Sequence, residues 1–178
     1  MRAMKVRDAT ELDAVACAAI YAPYVTDTAI TFETEPPAAE EMAVRITAAT
    51  STHAWLILED DDGTVIGYAY GGPFKAREAY RWSCEVSVYL ERGRRRTGGG
   101  RTLYTALLER LAQRGYRTVA AGMTLPNDAS VGLHRAMGFT TVGTYERIGW
   151  KHGAWRDVAW AQRAIGSTDD PPGDIVLA

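Results

Sequence analysis

The stretch from Val86 to Leu111, VSVYLERGRRRTGGGRTLYTALLERL, limits the possible folds of this chain more than any other, because strand, loop and helix follow there without a gap. Val86, Val88 and Leu90 alternate with Ser87, Tyr89 and Glu91, the period-2 signature of a strand. Leu103, Leu107 and Leu111 fall on one helical face, with Tyr104 and Leu108 beside them. Between the two lies Arg94-Arg95-Arg96-Thr97-Gly98-Gly99-Gly100-Arg101. Glycines let the backbone turn tightly and bring its N–H groups close to a ligand. A helix starting at such a loop adds free amides and the positive end of its dipole, and the arginines raise the potential further. This place is predicted to hold a pyrophosphate. Two plainer readings stay open: a solvated basic turn before an amphipathic helix, and a basic patch for nucleic acid. The net charge of −2 and the lack of interleaved aromatic residues weaken the second.

A P-loop would need Lys-Ser/Thr after Gly100, and the dinucleotide fingerprint would need a small residue where Leu103 stands. Arg95-x-x-Gly98-x-Gly100 instead resembles the Arg/Gln-x-x-Gly-x-Gly/Ala loop with which GNAT-fold N-acetyltransferases hold coenzyme A.

At 178 residues, 47% hydrophobic and 24% charged, the chain has the length and composition of one globular domain. That domain is expected over residues 1–165, with 166–178 as a loose tail that contains Asp169-Asp170-Pro171-Pro172-Gly173. Cys17 and Cys84 form neither a disulfide framework nor a metal spacing, and reduced thiols in the cytoplasm are the expectation. The longest apolar run, Val15 to Ala22, is far too short to span a bilayer, and no export signal is read at the N-terminus.

In chain order, Met4 to Asp8 reads as a strand. Thr10 then caps a helix with Leu12, Val15, Ala16, Ala19 and Ile20 on its apolar face and Pro23 at its end. Tyr24 to Pro37 is a long loop of the kind that binds ligands. A helix near Ala38 to Ala49 precedes a hairpin, His53 to Glu59 and Val65 to Tyr70, around a solvated acidic turn at Asp60-Asp61-Asp62-Gly63. Gly71-Gly72-Pro73 is expected to break that strand before the basic and aromatic connector Phe74 to Tyr80. The central strand, Arg81 to Leu90, feeds the glycine loop and its helix, which Gly115 ends. A strand at Arg117 to Met123, a short helix from Asn127 to Gly138, and strands near Thr140 to Ile148 and Trp155 to Arg163 complete the domain.

Glu85 sits inside the central strand, where an apolar or β-branched residue is usual, and shares a face with Ser87 and Tyr89. A partly buried carboxylate has a raised pKa and can accept a proton near neutral pH. The alternative is a structural glutamate paired with Arg77 or Arg81. Cys84 points to the opposite face and reads as core. Asn127 to Phe139, NDASVGLHRAMGF, is a second acetyltransferase-like signature: Asn-x-x-Ser/Ala-x-x-Leu, then His134 where the family often has tyrosine, then Gly-Phe. His134 can protonate a leaving thiolate or simply hydrogen-bond its surroundings. His53 and His152 share no metal spacing with it, so no metal is expected.

Further segments narrow the resemblance. Phe74-Lys75-Ala76-Arg77-Glu78-Ala79-Tyr80, Leu125-Pro126-Asn127-Asp128-Ala129-Ser130-Val131 and Trp150-Lys151-His152-Gly153-Ala154-Trp155-Arg156-Asp157-Val158 resemble phosphinothricin acetyltransferases. Thr31-Phe32-Glu33-Thr34-Glu35-Pro36 and Thr102-Leu103-Tyr104-Thr105 agree, so the likeness runs over about residues 4 to 163. It implies an α/β (α+β) GNAT fold, a central mixed, mostly antiparallel twisted sheet flanked by helices. It also implies acetyl-CoA as cosubstrate, a homodimer with its site near the interface, and acetylation of phosphinothricin, methionine sulfoximine or methionine sulfone.

Residue by residue, the resemblance assigns Glu85 as general base and His134 as the conserved-motif histidine. Val88, Tyr89 and Leu90 receive the acetyl and pantetheine end. Arg95, Arg96, Thr97, Gly98, Gly99, Gly100 and Arg101 form the pyrophosphate loop, and Asn127 is a coenzyme contact. Phe32, Lys75, Arg77, Tyr80 and Tyr89 fall at substrate-pocket positions, and Val158 near the interface. Glu33 replaces a basic residue of the substrate loop, Gly99 a larger apolar one, and Arg95 a frequent glutamine. Another small amine as acceptor, a non-catalytic coenzyme A sensor and a nucleic-acid module are the competing readings.

Overall fold

The computed structural model of the protein describes residues 4–94 and 97–178. Its strands are β1 (Lys5–Asp8), β2 (Ala54–Glu59), β3 (Val65–Pro73), β4 (Ser83–Leu90), β5 (Thr118–Thr124), β6 (Thr140–Lys151) and β7 (Ala154–Ala164). Its helices are α1 (Ala14–Asp27), α2 (Ala39–Thr52), α3 (Gly99–Gln113) and α4 (Asp128–Ala136). The strands form one sheet in the order β1-β2-β3-β4-β5-β7-β6. Every neighbouring pair is antiparallel except β4 and β5, which gives the mixed, mostly antiparallel sheet anticipated above.

Alternation along the strands sorts the core into two layers. Leu56, Leu58, Ala69, Cys84 and Val86 pack with Leu103, Leu107 and Leu111 of α3. Trp55, Ile57 and Tyr68 pack on the other face with Cys17, Ile20, Tyr21 and Tyr24 of α1 and Met42 and Ile46 of α2. Glu85, Ser87 and Tyr89 belong to the second face, because they stand opposite Gly72, Tyr70 and Tyr68 of β3.

Several local expectations need correction. Leu12 and Val15 are 92% and 69% exposed, and the buried side of α1 is Ala14, Cys17, Ile20, Tyr21, Tyr24 and Val25. An alanine-rich helix carries too little amphipathic contrast to fix its own face, so the tyrosines decide it. The rings of Tyr21 and Tyr24 meet Tyr89 edge-on at 4.9 and 5.2 Å. Pro23 lies inside α1 and does not end it, so the loop that follows starts only at Thr28. A proline removes one N–H and crowds one carbonyl, and buried Tyr24 and Val25 anchor the turn beyond it.

Gly71, Gly72 and Pro73 continue β3 and pair with Val86, Glu85 and Cys84. A Cβ on Gly71 would come within 3.1 Å of the Leu111 methyls, so this glycine permits close helix–sheet packing. Asp60 of the acidic turn is 8% exposed and lies 3.2 Å from Arg94, an ion pair across the loop and not a solvated charge. The segment from Gly166 onward has no helix or strand but follows the body of the protein. Trp82 Nε1 donates to Gly173 O at 2.8 Å, and Val176 and Ala178 donate their amides to Arg114 and Ser51 at 2.9 and 3.1 Å.

Candidate active site

The parallel ladder between β4 and β5 is short. Ser83, Cys84 and Glu85 pair with Thr118, Val119 and Ala120, and there it stops. β4 runs on against β3 to Leu90, while β5 runs on against β7 to Thr124. The two central strands therefore part after Glu85, leaving one edge of β4 to hydrogen-bond something other than a strand. A cleft of about 620 Å³ opens there. Val88, Tyr89 and Leu90, the loop residues Gly98, Gly99, Gly100 and Arg101, and Asn127, Ser130 and Leu133 line it. A narrow extension reaches Ser87, Gly122, Tyr104 and His134.

The loop folds as its glycines require. Gly98, at the N-cap of α3, has φ +85°, a left-handed conformation that side chains resist. Gly99 meets the core: a Cβ there would lie 2.8 Å from a Leu58 methyl. Asn127 caps α4, its Oδ1 accepting from Ser130 N at 3.2 Å. The N-termini of α3 and α4 thus both open on the cleft, and both dipoles favour an anion in it. Arg94 is engaged by Glu91 at 2.7 Å and by Asp60, whereas Arg101 lines the cleft directly. Thr97 donates its hydroxyl to Arg94 O at 2.9 Å. Arg95 and Arg96 lie outside the described residues.

Glu85 stands where the strands fork, with its carboxyl pushed above the usual carboxylate range by burial and pulled back by the charge of Lys75. The structural pairing with Arg77 or Arg81 does not occur. Arg81 lies 3.5 Å from Glu78, Arg77 is exposed at the start of a 3-10 turn over Glu78–Tyr80, and no described cation is within ion-pair distance of Glu85. A second cleft, about 500 Å³, joins Glu85 to Lys75, Phe74, Tyr145 and Trp160. Cys84 is fully buried on the opposite face, and burial pushes its thiol far above the range of a reactive cysteine.

His134 is 4% exposed, and both of its ring nitrogens are engaged. Nδ1 lies 2.7 Å from the Ser130 carbonyl, which can only accept, so Nδ1 carries the proton. Burial lowers the pKa and keeps the ring neutral. Nε2 must then accept from the Tyr104 hydroxyl, 2.9 Å away. The histidine therefore ties α4 to α3 at the narrow end of the cleft.

The other anticipated residues are more dispersed. Lys75 lies over the Phe74 ring at 5.2 Å, and Tyr80 meets that ring edge-on at 5.6 Å. Phe32 is 40% exposed and packs on Gly149. Val158 pairs with Thr124 and Tyr145. Arg77, Tyr80, Phe32 and Val158 line neither cleft. Sequence reasoning missed Ile30, which lines both the cleft along β4 and its extension, and Tyr24, whose hydroxyl donates to Leu90 O at 2.6 Å. It set Tyr104 beside the leucine face of α3 and named no partner for its hydroxyl. Its hydroxyl, at the edge of a leucine face, was the available signal. Among the described residues no group of three potential metal ligands is found, and no helix is long and apolar enough to cross a membrane.

This architecture matches known proteins. Residues 6–160 match the family model for the acetyltransferase (GNAT) domain. A phosphinothricin N-acetyltransferase of Streptomyces viridochromogenes is 41% identical, with 91% of this chain and 88% of that protein covered. The L-methionine sulfoximine/L-methionine sulfone acetyltransferase of Pseudomonas aeruginosa is 35% identical over 94% of this chain and 98% of its own. Among solved structures, a phosphinothricin acetyltransferase from Sinorhizobium meliloti in complex with AcCoA superposes with a TM-score of 0.91. It is 36% identical, with 96% and 93% of the two chains covered.

Proposed function

The chain belongs to the GNAT acetyltransferase family, among the phosphinothricin N-acetyltransferases and their relatives, and we propose that it transfers the acetyl group of acetyl-CoA to the α-amino group of phosphinothricin-like amino acids. Phosphinothricin, methionine sulfoximine and methionine sulfone are the acceptors the relatives' names suggest. The observation that carries the proposal is the parting of β4 from β5 after Glu85, which leaves a strand edge free along the cleft that two helix N-termini face, with a half-buried carboxylate at the start of that edge.

In this reading acetyl-CoA lies in the cleft along β4. The amides of α3 and its glycine loop, with Arg101 and the sequence neighbours Arg95 and Arg96, hold the pyrophosphate. Tyr24 already occupies the Leu90 carbonyl, so pantetheine contacts fall to the other groups of the Val88–Leu90 edge. Asn127 contributes through Nδ2, because its Oδ1 caps α4. Transfer is direct, in a ternary complex. The acceptor ammonium, with a pKa of roughly 9 to 10 like a lysine amine, gives a proton to Glu85, directly or through one water. The amine nitrogen attacks the acetyl carbonyl carbon, N–H groups near Val88 to Leu90 stabilise the oxyanion, and the C–S bond breaks as the departing thiolate takes a second proton from the attacking nitrogen, giving the N-acetyl amino acid and free CoA. Lys75, in the cleft of Glu85, attracts the acceptor's carboxylate or phosphinate, and Tyr89 borders the coenzyme cleft; Arg77, Phe32 and Tyr80 are drawn to the acceptor by the family resemblance alone, since they line neither cleft. His134, neutral and doubly bonded, holds Tyr104 and α4 in place.

The same reading puts the protein in the cytoplasm as a homodimer. Two free buried cysteines support the first statement. Tyr145, Ile148, Trp150 and Trp155, each at least half exposed along β6 and β7 near Val158, support the second. The test of the acceptor is thiol release from acetyl-CoA with those three compounds and the ordinary amino acids. Strong preference for the three supports this reading. Silence on all three with turnover of another amine discards the acceptor and keeps the coenzyme site.

A further inference from the structure

The Trp150–Val158 motif gives only Val158 to the site above, yet its first residues reach across to the segment between α1 and α2. His152 and Gly153, with φ +51° and +69°, form the two-residue turn joining β6 to β7. Lys151, one residue earlier, is 5% exposed, and its Nζ donates to the carbonyls of Thr31 and Glu33, each at 2.8 Å. Those two carbonyls flank Phe32. The Phe32 ring lies directly on Gly149, where an added Cβ would overlap it. His152 Nε2 adds a contact at 3.1 Å to the Thr28 carbonyl. From the other side Arg45 of α2 holds the Glu33 carboxylate at 2.6 and 3.0 Å. Glu33 also accepts from the Tyr21 hydroxyl, so its charge is already engaged within the protein.

An apolar side chain would fill the Lys151 site without the cost of desolvating an ammonium. What the lysine adds is its pair of bonds to the loop. We propose that Lys151 is a positioning residue for the acceptor: it fastens residues 31–33 to the β6–β7 hairpin and thereby sets the neighbouring Ile30 at the narrow end of the cleft, where the acetyl group would meet the acceptor. The hairpin then determines which amino-acid side chains fit. Ile30 supports this placement, because it lines the coenzyme cleft and its narrow end. The inference rests on the acetyl-transfer reading for its kinetic consequence and on the contacts alone for its structural one.

Both consequences can be measured separately. The chain has three phenylalanines, Phe32, Phe74 and Phe139, so fluorophenylalanine labelling gives three assignable fluorine resonances. Lys151→Met removes both bonds, and Gly149→Ala displaces the Phe32 ring without touching the ammonium. Each variant is expected to shift the Phe32 resonance and leave that of Phe139 unchanged. Each should raise the acceptor KM about tenfold while kcat and acetyl-CoA affinity stay within about twofold, the pattern of lost ground-state positioning. If Lys151→Met does not fold, Gly149→Ala carries the test. Folded variants with an unmoved Phe32 resonance and an unchanged acceptor KM overturn the proposal. So does an equal loss of acetyl-CoA affinity, which marks a general structural role. A wild-type protein silent on amino acids removes the acceptor reading, while the fluorine spectra still decide the clamp.

Discussion

Glu85 stands opposite Ala120 in the last register pair between β4 and β5, and opposite Gly72 on its other side. The residue that ends the parallel ladder is thus flanked by the two smallest kinds of side chain. A Cβ on Gly72 would touch nothing within 4 Å. Space beside the carboxylate is what a proton acceptor needs, since an amine or a water must reach it at hydrogen-bond distance. Burial supplies the second requirement by raising the pKa.

Lys75 opposes that shift, because its positive charge favours the ionised carboxylate. Lys75→Met should therefore move the acidic limb of kcat/KM to higher pH, besides raising the acceptor KM. A pH–rate series on the variant checks both effects, and a limb that moves to lower pH would contradict the assignment.

A methyl group on Gly98 would meet nothing within 4 Å, but the residue's φ is +85°, so Gly98→Ala tests backbone strain without a clash. A left-handed alanine costs about 1 kcal/mol, and the strain falls on the first amides of α3. Acetyl-CoA affinity should drop several-fold by calorimetry and stability by about that amount in urea. Gly98→Asn, better tolerated in this conformation, should lie between alanine and wild type.

His53, 8% exposed and stacked on Tyr116 at 4.8 Å, has its pKa pushed down to about 4 by burial and then by the charge of Arg114. The unfolded chain takes up this proton near pH 6.5, the folded protein only near 4. The stability contributed by the neutral ring is full above pH 6.5 and is lost as pH falls toward 4, by at most about 3 kcal/mol. His134, also lowered by burial, acts in the same direction. Urea unfolding at pH 7 and pH 5 should show a smaller acid loss for His53→Phe, which keeps a ring on Tyr116 and drops the titration.

The β4–loop–α3 unit was legible because its signals are local: alternation, then glycines, then leucines at helical spacing. Glu85 was legible as a charge in an apolar strand, and its raised pKa followed from that placement. The face of α1 was not legible, because alanines outnumber the tyrosines that decide it. Nor was the course of β3 through Gly71-Gly72-Pro73, where Gly71 answers to Leu111, far along the chain. The Lys151 bonds to Thr31 and Glu33 and the His134–Tyr104 bond depend on tertiary juxtaposition, which no local pattern encodes. The same is true of the pairing of Asp60 with Arg94.

Whether the carboxylate at the fork takes the acceptor's proton is decided by the pH dependence of kcat/KM for wild type and Glu85→Gln with the best acceptor, alongside the binding of acetyl-CoA. The wild type should show an acidic limb above the ordinary carboxylate range. The variant should lose about 10²–10⁴-fold in rate, lose that limb and bind acetyl-CoA as before. It should also unfold no more readily at neutral pH, since glutamine relieves a half-buried charge whose stabilising protonated form fades as pH rises through the raised pKa. Near-normal turnover of Glu85→Gln across the pH range would contradict a proton-accepting role for this carboxylate.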